Sequence, residues 1–497
     1  MAFEGGTRSA PVPTERRWLE DYPGLRRAQA ECARPRSEDE LRGLLRWAAS
    51  EGRTVTLRGG GQCLHGQSVG DDLVIDLSAL DRIEVDLAKG TLTAGAGARW
   101  ADVHAALPRG WVLPNLVTTG AASVGGTLVA DAASRFSSTF GREIEGIVRV
   151  RLMTADGAIL ECDRQGPHAE LFRALPGSVG LLGVALSVEH RLIDARHLAA
   201  QDGSLRVRTV ARKHPDARGL FADLALELSA PPSTRNPRGA YALLVPGGGA
   251  LLFHSTYTGA PRARRMMNHR RRDPMRGLVE RILHVPALNR ALWRVIFEQY
   301  YGDGDHFVDA AEDFAFFMDA GTAARAQAAQ LGLALGALVQ QVIELPFDAG
   351  PGAQDRASAL ALGFERLCRV HDVQPIGCDV VAIRGPVPGA HALRFSTAVP
   401  IARAEDEDRA RTLLAAQAAL AAEHGGRVLV GKGVYADART LAETSREALA
   451  ALARLEARWD PSRLFGGPFH AQVLRPAMAL ATSSPRSVVA PRLEKTA

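Results

Sequence analysis

Three runs of glycine and small side chains mark places where bare backbone can meet a ligand. Gly59-Gly60-Gly61 follows a β-like run, Val55 to Leu57, and continues through Gln62-Cys63-Leu64-His65-Gly66-Gln67. Glycine there permits positive φ angles and leaves no Cβ between a ligand and the backbone N–H groups, the requirement of a pyrophosphate loop. The second run, Thr118-Thr119-Gly120-Ala121-Ala122-Ser123-Val124-Gly125-Gly126-Thr127, has small side chains at nearly every place. A flat ring or a phosphate could lie against it. The third, Pro176-Gly177-Ser178-Val179-Gly180-Leu181-Leu182-Gly183-Val184, leads into a strand from Ala185 to His190. Taken singly, each run is equally what a tight turn or a close helix contact needs, so only their order along the chain discriminates.

The elements that position these runs are mixed. Ser37-Glu38-Asp39-Glu40 is a capping-box sequence ahead of Leu41, Leu44 and Leu45 at helical spacing, and that helix precedes the Val55 to Leu57 strand. Further strands are expected at Leu73 to Leu77, Arg82 to Val85 and Thr91 to Ala94, with a helix from Arg99 to Leu107. The class is α+β rather than a regular βαβ series. From about Asp194 to Glu423 the chain turns Ala- and Arg-rich, broken by Pro231-Pro232, Pro237 and Gly247-Gly248-Gly249, and helices are expected near Leu278 to Tyr300 and Thr322 to Leu338. The residues from Pro476 onward, small and without a period, are expected to form a disordered tail.

A length of 497 residues favours two domains. Apolar residues make up 46% and charged residues 23%, an ordinary globular balance that excludes a fibrous or wholly disordered chain. The 60 Lys plus Arg nearly cancel 55 Asp plus Glu, so no nucleic-acid partner is required. The five cysteines, Cys32, Cys63, Cys162, Cys368 and Cys378, are scattered and form no C-x-x-C pair, which suggests neither a disulfide framework nor a zinc site and reads as reduced thiols in a cytoplasm. The polar N-terminal stretch lacks the apolar centre of a secretory signal, and no run of about 18 apolar residues predicts a membrane span.

In order and content, residues 30 to 195 resemble the FAD-binding domain of the vanillyl-alcohol oxidase, or PCMH-type, flavoprotein family. The resemblance rests on the Arg58 to Gln67 loop, Leu73-Val74-Ile75-Asp76-Leu77, Ala94-Gly95-Ala96-Gly97 and Ser123-Val124-Gly125-Gly126-Thr127. It continues in Leu152-Met153-Thr154-Ala155-Asp156-Gly157, Glu170-Leu171-Phe172-Arg173-Ala174 and Gly180-Leu181-Leu182-Gly183-Val184. It implies a two-subdomain FAD-binding domain over 15–195, an α+β substrate (cap) domain over 196–424, and a return to the FAD-binding domain over 425–475, ahead of the 476–497 tail. The cofactor positions it implies are Arg58, Gly59, Gly60, Gly61, Gln62, Cys63, Leu64, Gln67 and Ser68 in the first loop. In the second they are Thr118, Gly120, Ala121, Ser123, Val124, Gly125, Gly126 and Ala130, and in the third Gly180, Gly183 and Val184.

Where many relatives carry the histidine that bonds covalently to the flavin, this chain has Gln62, whose amide lacks the nucleophilic imidazole nitrogen. FAD is therefore expected to be held non-covalently; His65 is read as a loop residue facing solvent or cofactor. The segment Gly425-Gly426-Arg427-Val428-Leu429-Val430-Gly431-Lys432-Gly433 is most similar to the sugar-oxidising branch that includes decaprenylphosphoryl-ribose oxidase, where a lysine at the matching place faces substrate. This makes Lys432 the expected catalytic residue. In Val380-Val381-Ala382-Ile383-Arg384 the lysine of that branch is replaced by Ala382. Cytokinin dehydrogenases are the next most similar group, but no acid lies between Asn115 and Gly125 to serve as their catalytic aspartate. Ala132 falls, by motif register, near the edge of the flavin ring, where a small residue lets oxygen approach. Eight arginines between Arg262 and Arg281 could offer a basic surface to anionic lipid, although a surface helix docked on its own core explains them more simply. The expected function is hydride transfer from an alcohol or sugar-like small-molecule substrate to FAD; amine oxidation, or flavin binding without turnover, is the alternative.

Overall fold

The computed structural model describes residues 10–483 apart from 116, 199–203, 231–232, 234, 246–248, 261–284, 296, 299–300, 305, 317–318, 320–336, 349–350, 388 and 402–403. Its class is α+β. The Arg262 to Arg281 cluster lies outside the described residues.

Among the described residues, two small sheets and a two-stranded ribbon of Trp111–Val112 with Ile193–Asp194 make up the N-terminal part. In the first, Thr14–Glu20 pairs antiparallel with Arg27–Ala33, which runs parallel to Leu73–Asp76, itself parallel to Val55–Arg58. The helix Glu38–Ser50 covers it. Ser37 Oγ accepts from Glu40 N at 3.1 Å, and Glu40 reaches back to Arg36 N rather than to the cap residue's own N–H. Leu41, Leu44 and Leu45 bury completely against Leu73 and Ile75, at roughly 2 kcal/mol each. The second sheet is antiparallel throughout, in the order Ile83–Asp86, Thr91–Gly95, Val184–Arg191, Ile147–Met153, Ile159–Asp163.

The larger sheet has eight strands, in the order His306–Ala310, Arg206–His214, Ala250–Thr258, Arg238–Leu244, Gly377–Arg384, Ala390–Ile401, Ala337–Asp348, Arg427–Val428. Its back carries Phe347 and Phe395 against Phe221 of the helix Ala217–Ser229. Its front faces the N-terminal part. After contributing the edge strand Arg427–Val428, the chain returns to the first sheet. Val55 N donates to Leu464 O at 2.8 Å and Gly466 N to Val55 O at 2.9 Å, while the Asp460 carboxylate accepts from Leu464 N and Phe465 N at 2.8 Å each.

Three expectations need correction. Residues 476–482, expected in a disordered tail, belong to a helix Arg475–Thr482 that buries Ala477, Met478 and Ala481 and is tied by Arg475 to Glu456 at 2.8 Å. Leu338, the expected end of a helix, lies in the strand Ala337–Asp348, and 322–336 lie outside the described residues. Within 278–300 the described helix begins at Pro286, where a missing N–H costs nothing, and runs to Val295.

Candidate functional site

The strand Val55–Arg58 delivers the first glycine loop to the N-terminal side of the helix Val124–Val129. The two loops touch backbone to backbone. A Cβ on Gly60 would sit 2.2 Å from Ala121 O, and one on Gly59 would sit 2.0 Å from Ser123 Oγ. No larger residue fits at either place. Ser123 Oγ accepts from Gly60 N at 3.2 Å and from Gly126 N at 3.3 Å, so one hydroxyl joins both loops.

Together they wall a cavity lined by Gly59, Gly60, Gly61, Gln62, Cys63, Leu64, Gln67 and Ser68 from the first loop, by Thr118, Ser123, Gly126 and Ala130 from the second, and by Lys432. Ala132 lines it too. Other expected cofactor residues stand behind this wall. Arg58 turns away and donates to Ser68 O and Glu20 O, bracing the loop. Gly120 and Ala121 form the rear of the second loop; Gly120 N donates to Asp319 Oδ1 at 3.0 Å. Val124 is core, and Gly125 packs where a Cβ would lie 2.8 Å from Ala96 Cβ. Gly180 (φ +91°) and Gly183 (φ +134°) shape a turn, and Val184 is core; from the third run only Val179 reaches the cavity.

Gln62 lines the cavity and spends its amide nitrogen on Gly60 O at 3.2 Å. His65 is half-buried and does not line the cavity. Its Nδ1 accepts from Val434 N at 3.0 Å and its ring stacks on Tyr435 at 4.7 Å. Burial, reinforced by Arg26, pulls its pKa down to about 4.

Lys432 is placed by two close passages. A Cβ on Gly431 would sit 2.5 Å from Ala130 O and one on Gly433 1.6 Å from Gln340 O, so the Gly-Lys-Gly segment threads between the second loop and the large sheet. Gln67 Nε2 donates to Lys432 O at 2.6 Å and to Val430 O at 3.2 Å. The ammonium has no hydrogen-bond partner among the described residues and lies on the cavity wall. Burial, reinforced by Arg394, pulls its pKa below the ordinary lysine value, while Asp131 and Glu143 oppose.

Behind the lysine, an ion network joins the glycine loops to the large sheet. Arg394 donates to Glu344 Oε2 at 2.9 Å and to Asp131 Oδ2 and Asp131 O at 2.5 Å each. Arg142 bridges Asp131 and Glu344 at 3.2 and 2.8 Å, and Arg427 adds 2.6 Å to Glu344. Burial alone would raise the Glu344 carboxyl, but Arg394, Arg427 and Arg142 outweigh it and hold it well below the usual range. Asp131 occupies φ +54°, a left-handed conformation costly for a non-glycine and retained here by its two guanidinium partners.

Glu143 is buried beside this group. Trp100 Nε1 donates to Thr127 Oγ1 at 2.9 Å, Thr127 Oγ1 lies 3.0 Å from both Val124 O and Glu143 Oε1, and Glu143 Oε2 has no partner among the described residues. Burial pushes this carboxyl up to about 8, against Thr127 and Lys432. Between its ordinary value near 4.5 and about 8 the folded chain keeps a proton that the unfolded chain releases, so stability falls as pH rises through that window and levels off above it. Glu143→Gln should therefore remove a pH-dependent loss on the order of 3 kcal/mol. Urea midpoints at pH 5 and 8 check this; parallel pH curves for variant and wild type would refute it.

Sequence reasoning did not find the cavity wall formed by the large sheet: Tyr241, Gln340, Asp379, Val381, Arg394 and Ser396. It also missed Arg135, whose guanidinium lies 4.7 Å from the Tyr241 ring centre and 5.1 Å from that of Phe314. Ala382, where a lysine was expected by resemblance, is fully buried on the back of its strand. Its register partner is Leu393, in the apolar layer, and the cavity-facing neighbour is Val381. Among the described residues, no helix is long and apolar enough to cross a membrane.

Residues 30–163 match the FAD binding domain family. The chain is 31% identical over 169 residues to an uncharacterized oxidoreductase of the fasciation locus of Rhodococcoides fascians (34% of this chain, 38% of that protein). It is 31% identical over 166 residues to L-gulonolactone oxidase of Bos taurus (33% and 37%). With decaprenylphosphoryl-beta-D-ribose oxidase of Mycolicibacterium smegmatis it shares 33% identity over 150 residues (29% and 32%). The matches thus span between 32% and 38% of each of these relatives. The two interlocked glycine loops lie within the matched domain, and their side-chain-free contact faces fit FAD as its cofactor.

Proposed function

We propose that this chain is an FAD-dependent oxidoreductase that oxidises a CH–OH group of an alcohol or sugar-like substrate, with FAD held non-covalently. The observation that carries this reading is the shared cavity: glycine loops of an FAD binding domain form one wall, a polar sheet face forms the other, and an unpartnered lysine stands between them. The names of similar proteins point the same way, among them a gulonolactone oxidase, an arabinono-1,4-lactone oxidase and a 2-hydroxyglutarate dehydrogenase. Bound FAD supplies the acceptor for the hydride that leaves the substrate carbon.

The chain's own residues handle the proton and the charge. The substrate hydroxyl must lose its proton for the hydride to leave: negative charge gathers on the oxygen as the O–H bond breaks and passes into the new C=O bond as the hydride departs. Lys432 is a cation on the cavity wall with no hydrogen-bond partner among the described residues, able to meet that charge; its lowered pKa also brings it nearer to serving as the base. The Arg394 network keeps further positive charge behind it. Gln67 and the two flanking glycines hold the lysine backbone, so little reorganisation accompanies the step. Amine oxidation is less well supported. The acid nearest the second loop, Asp319, spends both oxygens on Thr119 Oγ1 and Gly120 N and does not line the cavity. We further assign the protein to the cytoplasm, acting on a small molecule without nucleic acid.

Anaerobic mixing with a panel of alcohols and sugar lactones tests the reading: at least one should bleach the flavin absorption, and a flavin that none of them reduces would overturn it.

A further inference from the structure

The front of the large sheet carries its cavity residues in rows set by strand register. Tyr241, Val381 and Arg394 are consecutive partners on three neighbouring strands, and Asp379, Ser396 and Val342 form the next row, with Gln340 two residues beyond. Alternation sends Val380, Ala382, Phe395 and Ile343 into the apolar layer behind. The polar groups therefore share one side, inside a cavity where unmet hydrogen-bonding capacity is costly.

Their states differ. Gln340 Nε2 donates to Ser396 Oγ at 2.5 Å, which leaves the serine proton free to donate. Arg394 is consumed by Asp131 and Glu344. Asp379 is open to the cavity and has no hydrogen-bond partner among the described residues. Its surroundings are nevertheless protein rather than bulk water, so burial raises its carboxyl pKa, opposed by Arg135. Arg135, held over Tyr241 and Phe314, and Asp379 balance each other's charge, and a carboxylate substrate reaching for Arg135 would meet Asp379 as well. A neutral hydroxylated molecule meets no such repulsion. A carboxylate can accept from two adjacent hydroxyls at once, with Ser396 and Gln340 beside it.

We propose that Asp379 determines specificity, accepting hydrogen bonds from neighbouring hydroxyls of a neutral, polyhydroxylated substrate. This rests on the reading of the cavity as the substrate chamber. The test uses the FAD-loaded protein and follows perturbation of the flavin spectrum by arabinose, arabinitol, malate and 1-pentanol, in wild type, Asp379→Ala and Asp379→Asn of equal FAD content. Wild type should bind a neutral polyol more tightly than malate. Asp379→Ala should weaken polyol binding by about 10- to 100-fold and leave 1-pentanol within about threefold, the scale of a hydrogen bond to a charged group. Asp379→Asn, which keeps one acceptor oxygen, should fall between. Polyol binding that is absent in wild type or unchanged in Asp379→Ala, or tighter binding of malate in wild type, would overturn the assignment. Polyol binding that depends on Asp379 but never bleaches the flavin would leave it standing and remove the oxidoreductase reading instead.

Discussion

Lys432→Ala should slow flavin reduction by the protein's substrate by about 100-fold or more, the usual loss when one charged transition-state contact or one general base is removed. FAD content and unfolding midpoint should change little. The lysine segment is held by backbone bonds from Gln67 and by the flanking glycines, none of which needs the side chain, and the ammonium has no partner among the described residues to leave unpaired. Lys432→Arg separates two roles, since a guanidinium stays charged but cannot act as a base at accessible pH. Activity retained in the arginine variant assigns the lysine to charge stabilisation; loss in both variants assigns it to proton transfer or to its compact shape. Stopped-flow reduction rates decide this. A wild-type rate in Lys432→Ala would show an ordinary lysine at the cavity wall.

The largest stability effect should come from Arg394→Ala. That guanidinium contacts two buried carboxylates and one carbonyl, and Asp131 and Glu344 come from the two walls of the cavity. Removing it leaves both carboxylates short of a partner, a change that typically costs about 3–5 kcal/mol. The left-handed backbone at Asp131 loses one of its two restraints as well. Arg394→Lys should rescue little, because a point charge cannot bond three acceptors arranged for a planar fork. Denaturant unfolding of the FAD-loaded protein is the measurement, and a midpoint unchanged in Arg394→Ala would mean that Arg142 and Arg427 suffice to hold the network.

What was readable in the chain was what glycine encodes locally. Gly60 announces close backbone approach by its identity, Gly59 and Gly126 leave room for the Ser123 hydroxyl, and Gly431 and Gly433 frame Lys432 by close backbone approach. Gly125 and Gly183 carry the same mark, but their closeness is to Ala96 and to Met153, so glycine identity signals crowding without saying whether ligand or protein crowds it; Gly180 is marked instead by its φ of +91°. The opposite wall left no such trace. Asp379, Ser396 and Gln340 become neighbours only through strand register, and Arg394 lies 263 residues from the aspartate it bonds. The helix Arg475–Thr482 escaped notice because its buried face is alanine and methionine, too small a signal to show a period.

A cavity built for FAD without a covalent link is tested most directly by the absorption spectrum of the purified protein before and after acid precipitation. Because Gln62 has no nucleophilic nitrogen and His65 is held by Val434 and Tyr435, two flavin bands should be present and should pass wholly into the acid supernatant. A yellow pellet would contradict the non-covalent link, and a colourless protein that takes up no FAD on reconstitution would contradict a flavin cavity altogether.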